Sequence, residues 1–283
     1  MGPEALTHRS SYTDWNYDSE LYAFGKRLNE DFNQIKLQQA FTDRSYIVQE
    51  EMKQKAVGIE NPDIKLVDNG NLSKKGEEIM SEYIVTFLNI SLPKYPREGI
   101  KAIYKYLMSD DLLANVSSHL GTKDIILSAD FPVENSTLAS TLKAVVGALF
   151  ESSGEVKAYE FVRDFVCTQL NQKDINELWT IEKPMELLHE LCKDKKLGEP
   201  EPRLIGEVGR NTLLAAYNVG IYCNKTMLGS GFGENISIAI DEAARDGLHE
   251  LFQTKTNMAP FNYKIQTEQV IKALSKRSIS SVG

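Results

Sequence analysis

Two short segments hold the residues whose types and spacing bear most directly on chemistry. The first is Asn69-Gly-Asn-Leu-Ser-Lys-Lys-Gly-Glu-Glu-Ile-Met80, and the second is Ser140-Thr-Leu-Lys-Ala-Val-Val-Gly-Ala-Leu-Phe-Glu-Ser-Ser-Gly154. Clustered carboxylates on two helices could hold a hard divalent cation, which takes oxygen ligands, activates water and stabilises a leaving oxygen in phosphoryl transfer. Glu77 is a carboxylate of the first segment, and it reads as a structural acid on a helix. Other metal chemistry is poorly provided for. Cys167, Cys192 and Cys223 lack CxxC or CxxH spacing, which argues against a zinc site and a disulfide framework and favours a reducing compartment. His8, His119, His189 and His249 form no close ligand pair. His189 lies in a helical stretch and reads as structural or solvated. No metal or cofactor is expected.

The elements that carry these residues follow from hydrophobic periodicity. Residues 1–16 form a polar arm. Leu21, Phe24, Leu28 and Phe32 recur at helical spacing, and a second helix is predicted from Ile35 to Met52. Gly58-Ile-Glu-Asn-Pro62 breaks the pattern. A helix from Ser73 to Leu88, capped by Ser73, is followed by breaks at Pro93 and Pro96. Further helices are expected over Glu98–Met108, Asp110–Leu120, Thr137–Ser152 and Lys157–Asn171. The pattern changes after Trp179. Pro184 opens a helix at a position where its missing N–H costs nothing. Strand-like runs follow at Glu201–Val208, Thr212–Cys223 and Thr226–Gly231, with Asn224-Lys225 as a tight turn. A last helix runs from Ser237 to Phe252. The expected class is α+β: an all-α domain over 17–175, an α-β-β-β-α domain over 180–254, a linking region around 172–182, and a tail over 255–283. That tail holds Phe261 and Tyr263, then Lys272, Lys276 and Arg277 near a weakly basic end.

The 283 residues, 42% hydrophobic and 25% charged, have the composition of a globular protein. The longest apolar run, Ala144 to Phe150, is far short of the ~20 residues that span a bilayer. The first ten residues show neither a secretory signal nor an Arg-rich amphipathic helix, so any presequence is expected to be absent or removed. The net charge of −8 is unusual for a nucleic-acid binder. Its distribution is informative: residues 180–283 hold 13 basic and 13 acidic side chains, which leaves 19 and 27 before them. The second domain can therefore present a basic face, though with modest non-specific affinity, because that affinity scales with the phosphates neutralised.

The first domain resembles ribonuclease III in three places. Leu37-Gln-Gln-Ala-Phe-Thr-Asp-Arg-Ser-Tyr46 is similar to the family's Leu-x-x-Ala-Leu-Thr-His-Arg-Ser-Tyr. Asn69–Met80 resembles Asn-Glu-Arg-Leu-Glu-Phe-Leu-Gly-Asp-Ala-Val-Leu, and Ser140–Gly154 resembles Asp-x-x-Glu-Ala-Leu-Ile-Gly-Ala-Ile-Tyr-x-Asp-Ser-Gly. Ala5-Leu-Thr-His-Arg-Ser10 is a chance repeat of the first motif, since no apolar helix precedes it. In register, the family's metal-binding acids fall on Gly70, Ser73, Glu77, Ser140 and Lys143, so only Glu77 keeps a carboxylate. A lysine at a ligand position opposes metal binding. Because the family's two helices converge, the resemblance places Lys143 near Glu77, where an ion pair would replace the metal.

The second domain resembles a double-stranded RNA-binding domain. Pro184, Leu188, Glu190 and Leu191 fit the first-helix pattern Pro-x-x-x-Leu-x-Glu-Leu. Gly231, Gly233, Ala239, Ala243 and Ala244 fit Gly-x-Gly-x-Ser-Lys-Lys-x-Ala-Glu-x-x-Ala-Ala. The family's phosphate-gripping lysine pair has become Ile236 and Ser237, and the loop histidine is missing near Gly209-Arg-Asn-Thr212. Such domains read A-form shape through 2′-OH and phosphate contacts. Glu190, Lys193, Lys195, Lys196, Arg203, Arg210, Asn211 and Lys225 remain as candidate RNA contacts.

The pairing of two degenerate modules over about residues 17–252 resembles the mitochondrial large-subunit ribosomal proteins that carry a silenced ribonuclease III domain. Trp15-Asn-Tyr, Phe24-Gly-Lys-Arg-Leu28, Phe131-Pro-Val133, Val146-Gly-Ala-Leu149, Val219-Gly-Ile-Tyr-Cys223 and Asn262-Tyr263 add to it. The resemblance implies a non-enzymatic protein of the mitochondrial matrix ribosome whose partners are ribosomal RNA and other large-subunit proteins. The alternatives are an active double-strand-specific endonuclease and an inactive RNA-binding partner of another ribonuclease III-like subunit.

Overall fold

The computed structural model describes residues 13–59, 64–210, 212, 214–255 and 269–274. Asn211, the Ala5–Ser10 repeat, the end of the Gly58–Pro62 break and most of the tail, including Phe261, Asn262, Tyr263, Lys276 and Arg277, lie outside them. Two compact units form. One takes described residues up to Ile90, Tyr104–Asn171 and the short stretch 269–274; the other takes Ser91–Ile103 and the described residues from Gln172 to Lys255.

The helices are α1 (Tyr17–Leu28), α2 (Gln34–Ala40), α3 (Arg44–Ala56), α4 (Gly70–Ser91), α5 (Arg97–Leu107), α6 (Asp110–His119), α7 (Asn135–Ser153) and α8 (Glu155–Phe165). The core of the first unit is made by α4 and α7. Met80, Tyr83, Ile84, Phe87 and Leu88 of α4 are buried, as are Leu142, Val145, Val146, Ala148 and Leu149 of α7. Tyr83 packs on Tyr159 of α8 at 5.2 Å between ring centroids, and Phe24 meets Phe41 edge-on at 5.1 Å.

The helix expected over Ile35–Met52 is two helices. Leu127 N–H donates to the Phe41 carbonyl, and Asp43 N–H donates to the Leu127 carbonyl. These bonds hold the chain extended at Thr42, which forms an isolated parallel bridge with Leu127. Asp43 then caps α3 by accepting from Ser45 N–H at 2.8 Å, as short polar side chains do at helix starts. Ser73 does not cap α4. The helix begins at Gly70, whose N–H donates to the Asp68 carboxylate at 3.2 Å, and Ser73 lies one turn inside. The stretch expected as one helix to Asn171 ends at Phe165 and continues as a 3₁₀ segment over Cys167–Gln172.

The second unit has the order α9 (Pro184–Asp194), β1 (Glu201–Val208), β2 (Ala216–Cys223), β3 (Thr226–Gly233) and α10 (Ile236–Phe252). The antiparallel sheet runs β1-β2-β3. β2 starts four residues later than expected, and α10 starts at Ile236 with Asn235 accepting from Ile238 N–H. Asn224 and Lys225 both take the left-handed conformation that a two-residue hairpin turn requires. α10 lies close on the sheet because β3 presents glycines to it. A Cβ on Gly231 would come within 2.2 Å of Ala243 N, and one on Gly229 within 2.3 Å of Gly247 N. Tyr95, Trp179 and Phe252 form an aromatic cluster in the same unit, with centroid separations of 5.5–6.2 Å.

Candidate functional site

Gly76 of α4 and Gly147 of α7 set the geometry of the first candidate site. A Cβ on Gly76 would stand 1.8 Å from the Lys143 carbonyl oxygen, and one on Gly147 would stand 2.3 Å from that of Leu72. The two helices thus cross backbone to backbone, and side chains beside the crossing face each other. Ser73 and Ser140 share a hydrogen bond at 3.1 Å. Lys143 Nζ lies 3.5 Å from Glu77 Oε2. Four of the five positions that the resemblance matches to metal-binding acids therefore meet in two pairs. The fifth, Gly70, occupies the first turn of α4 and gives its N–H to Asp68.

The electrostatics here suit pairing among side chains. The Lys143 side chain is only 14% exposed, whereas that of Glu77 is 51% exposed, so the cation lies nearer the helix crossing and the carboxylate faces outward. A cation in that place repels a second cation. Among the described residues, no cluster of three or more His, Cys, Asp or Glu side chains could hold a metal ion.

A neighbouring network escaped the sequence reading. Glu151 of α7 accepts from Lys36 of α2 at 2.8 Å and Lys75 of α4 at 3.1 Å. These two hydrogen bonds hold the Glu151 carboxyl below its usual range. Lys75 also stands 4.7 Å from the Phe150 ring centroid. Beside it, a cavity of about 820 Å³ is lined by residues that include Lys74, Glu78, Glu82, Glu155 and Tyr159. The Tyr159 hydroxyl donates toward Glu155 at 2.9 Å and Glu82 at 3.4 Å; burial and these carboxylates raise its pKa well above the usual phenol range. That groove is rich in carboxylates and a poor seat for phosphate.

The proposed RNA contacts fall in three places. Glu190 and Lys193 lie on α9, with Lys195 and Lys196 just beyond its C-terminal end. Asn224 ties the hairpin turn to this region by donating to the Leu197 carbonyl at 2.6 Å, so Lys225 belongs to the same end of the sheet. Arg210 stands beyond the far end of β1, 3.5 Å from Glu207. Arg203 projects from the sheet face opposite the helices: its strand partner is Gly220, next to buried Val219 and Ile221, and its guanidinium lies 5.4 Å from the Tyr222 ring and 2.9 Å from Glu201.

The model for "Large ribosomal subunit protein mL44, endonuclease domain" matches residues 16–149, and that for "MRPL44 dsRNA-binding domain" matches 179–281. The large ribosomal subunit protein mL44 of Caenorhabditis elegans is 30% identical over 264 residues, which cover 92% of this chain and 66% of that protein. This chain belongs to the mL44 family. The mL44 of Neurospora crassa is 31% identical over 107 residues, 38% of this chain and 24% of that protein. The chain thus spans about two thirds of the first mL44 relative and about a quarter of the second. Ribonuclease 3 of Symbiobacterium thermophilum is 27% identical over 188 residues, covering 64% of this chain and 77% of the enzyme.

In this mL44 family member, the double-stranded RNA-binding fold is held by the residues that fit its sequence pattern. Pro184 begins α9 and Leu188 is fully buried. Gly231 and Gly233 approach α10 at Ala239 and Ala243. At the lysine-pair positions, Ile236 is 47% exposed and Ser237 follows it on the first turn of α10. No sequence spacing marks Lys36, Lys75 and Glu151 as a network, because each comes from a different helix.

Proposed function

We propose that this chain is a structural component of the mitochondrial large ribosomal subunit, where it binds ribosomal RNA and neighbouring proteins. Its ribonuclease III-like domain cleaves nothing, and its double-stranded RNA-binding domain grips RNA weakly on its own. Membership of the mL44 family supports the ribosomal and mitochondrial setting. The single observation that carries the silenced reading is the pairing of Lys143 with Glu77 and of Ser73 with Ser140, at positions where the resemblance places metal-binding acids. The vestigial positions are Gly70, Ser73, Glu77, Ser140 and Lys143.

Weak autonomous binding is compatible with stable incorporation, because neighbouring proteins and folded RNA supply further contacts whose effects multiply when linked. In this reading Lys193, Lys195, Lys196 and Lys225 meet phosphate at one end of the sheet, and Glu190 meets ribose hydroxyls. Arg210 serves the other end.

The test has two arms. Long duplex RNA is incubated with the chain and Mg²⁺, then Mn²⁺, beside a Glu77→Ala control, and tagged chain is followed through a ribosome gradient. The expected result is no cleavage above the control and co-sedimentation with the large subunit. Cleavage that Glu77→Ala abolishes overturns the silenced reading. A chain that stays at the top of the gradient overturns the ribosomal one.

A further inference from the structure

Cys192 is at the C-terminal part of α9 and Cys223 ends β2, 31 residues later, yet their sulfurs lie 3.6 Å apart. Both side chains are buried, and both are free thiols. The contact joins the first helix of the RNA-binding domain to the central strand of its sheet. A cavity of about 560 Å³ reaches Cys192, with His189, Lys193, Lys196 and Pro200 also in its wall. The cavity lies against Cys192, whose own side chain is fully buried, so a small reagent meets the two sulfurs as the domain opens locally. The third cysteine, Cys167, belongs to the other compact unit.

We propose that Cys192 and Cys223 form an oxidisable dithiol site, which a small-molecule disulfide converts to an internal disulfide joining α9 to β2. A disulfide bond is about 2.05 Å long, so the sulfurs must approach by roughly 1.5 Å. In the first step one cysteine loses its proton, attacks the reagent R–S–S–R and releases RS⁻, which takes up that proton. In the second, the other cysteine loses its proton and attacks the mixed disulfide, releasing the second RS⁻, which is protonated in turn. Two cysteine S–H bonds and one reagent S–S bond break. One protein S–S bond and two R–S–H thiols form. The two electrons lost by the cysteines reduce the reagent.

Burial and the adjacent Cys223 push the Cys192 thiol up to about 12. The attacking thiolate is therefore scarce at neutral pH and oxidation of the folded domain is slow. Once formed, the bond closes a loop that includes β1 and restrains the unfolded chain.

The probe is glutathione disulfide in excess, applied to the folded full-length chain and, in parallel, to chain in concentrated urea. Free thiols are then alkylated under denaturing conditions and the digest is mapped by mass spectrometry. In the folded sample the expected product is a single cross-link between the Cys192 and Cys223 peptides, with a loss of roughly 2 Da and Cys167 still alkylated. The urea sample distributes cross-links and glutathione adducts over all three cysteines. With Cys223→Ser, Cys192 ends as a glutathione adduct or a free thiol. Separate glutathione adducts on Cys192 and Cys223 in the folded wild type overturn the proposal, as do two free thiols after prolonged exposure or a cross-link through Cys167. The wild-type map decides the matter even where the variant fails to fold.

Discussion

Lys143 and Glu77 form an asymmetric ion pair: the lysine side chain is largely covered beside the α4–α7 crossing, and the carboxylate is half exposed. A pair open to water on its carboxylate side predicts small effects of removing either partner. Glu77→Gln leaves the largely covered lysine without its carboxylate, although water reaches the outer side of the pair. We expect a loss below about 1 kcal/mol, as for other solvent-screened pairs. Lys143→Met removes the charge and keeps the aliphatic length, so its effect should stay within about 1 kcal/mol of zero. Urea denaturation of both singles and the double variant checks this. A coupling energy of several kcal/mol would contradict the screened pair.

The crossing itself should be far less tolerant. Gly147→Ala places a methyl group 2.3 Å from a backbone carbonyl oxygen, and Gly76→Ala places one at 1.8 Å. Neither obstacle is a flexible side-chain tip, so the helices must move apart. Overpacking of this kind costs about 1–3 kcal/mol. Each substitution should lower the denaturation midpoint, and Gly76→Ala should also lengthen the Lys143–Glu77 and Ser73–Ser140 contacts in a crystal structure. Unchanged midpoints would refute the close crossing.

Acid should loosen the α2–α4–α7 contact through Glu151. Hydrogen bonds from Lys36 and Lys75 hold its folded pKa below the ordinary 4.5. A carboxyl depressed on folding contributes stability that is fully present above its unfolded pKa and is lost as pH falls through the folded one. The wild type should thus lose stability relative to Glu151→Gln below about pH 4.5, and the difference between them should be constant from pH 6 to 7. Parallel stability curves down to pH 3 would exclude this role.

Ile236 gives the second unit a test tied to assembly. It is 47% exposed on the first turn of α10. An apolar group there favours a dry protein contact over a phosphate contact. Ile236→Lys should reduce incorporation into the large subunit severalfold in a gradient assay while leaving the thermal midpoint unchanged. Undiminished incorporation would remove Ile236 from the interface.

Periodicity and turn residues were enough to read most helices, three strands and the Asn224-Lys225 turn, because those features depend on neighbours within a few residues. The α2–α3 break was hidden because it depends on Leu127, whose backbone bonds hold Phe41 and Asp43 from far along the chain. The Lys143–Glu77 pair could be anticipated because the resemblance implies that the two helices converge; the structure adds that they do so at Gly76 and Gly147. The Lys36–Glu151–Lys75 network lacks such a marker. Arg203 is one of the candidate RNA contacts named from the sequence; its place across from Gly220 depends on strand pairing and sends it to the face away from α9 and α10.

That separation yields an ordering of RNA-binding defects. Lys193, Lys195, Lys196 and Lys225 share one end of the sheet, whereas Arg203 is engaged by Glu201 and Tyr222 on the opposite face. A Lys193→Gln, Lys196→Gln double variant should weaken binding to a duplex segment of ribosomal RNA severalfold and make the salt dependence shallower. Each lost phosphate contact reduces the slope of log affinity against log salt by roughly 0.9 on a B-DNA scale. Arg203→Gln should leave both affinity and slope unchanged, and Arg210→Gln should have an intermediate effect through the other end of the sheet. Fluorescence anisotropy across a salt series measures both quantities. If Arg203→Gln gave the larger loss, the RNA would have to lie on the outer sheet face, and the α9-end assignment would fail.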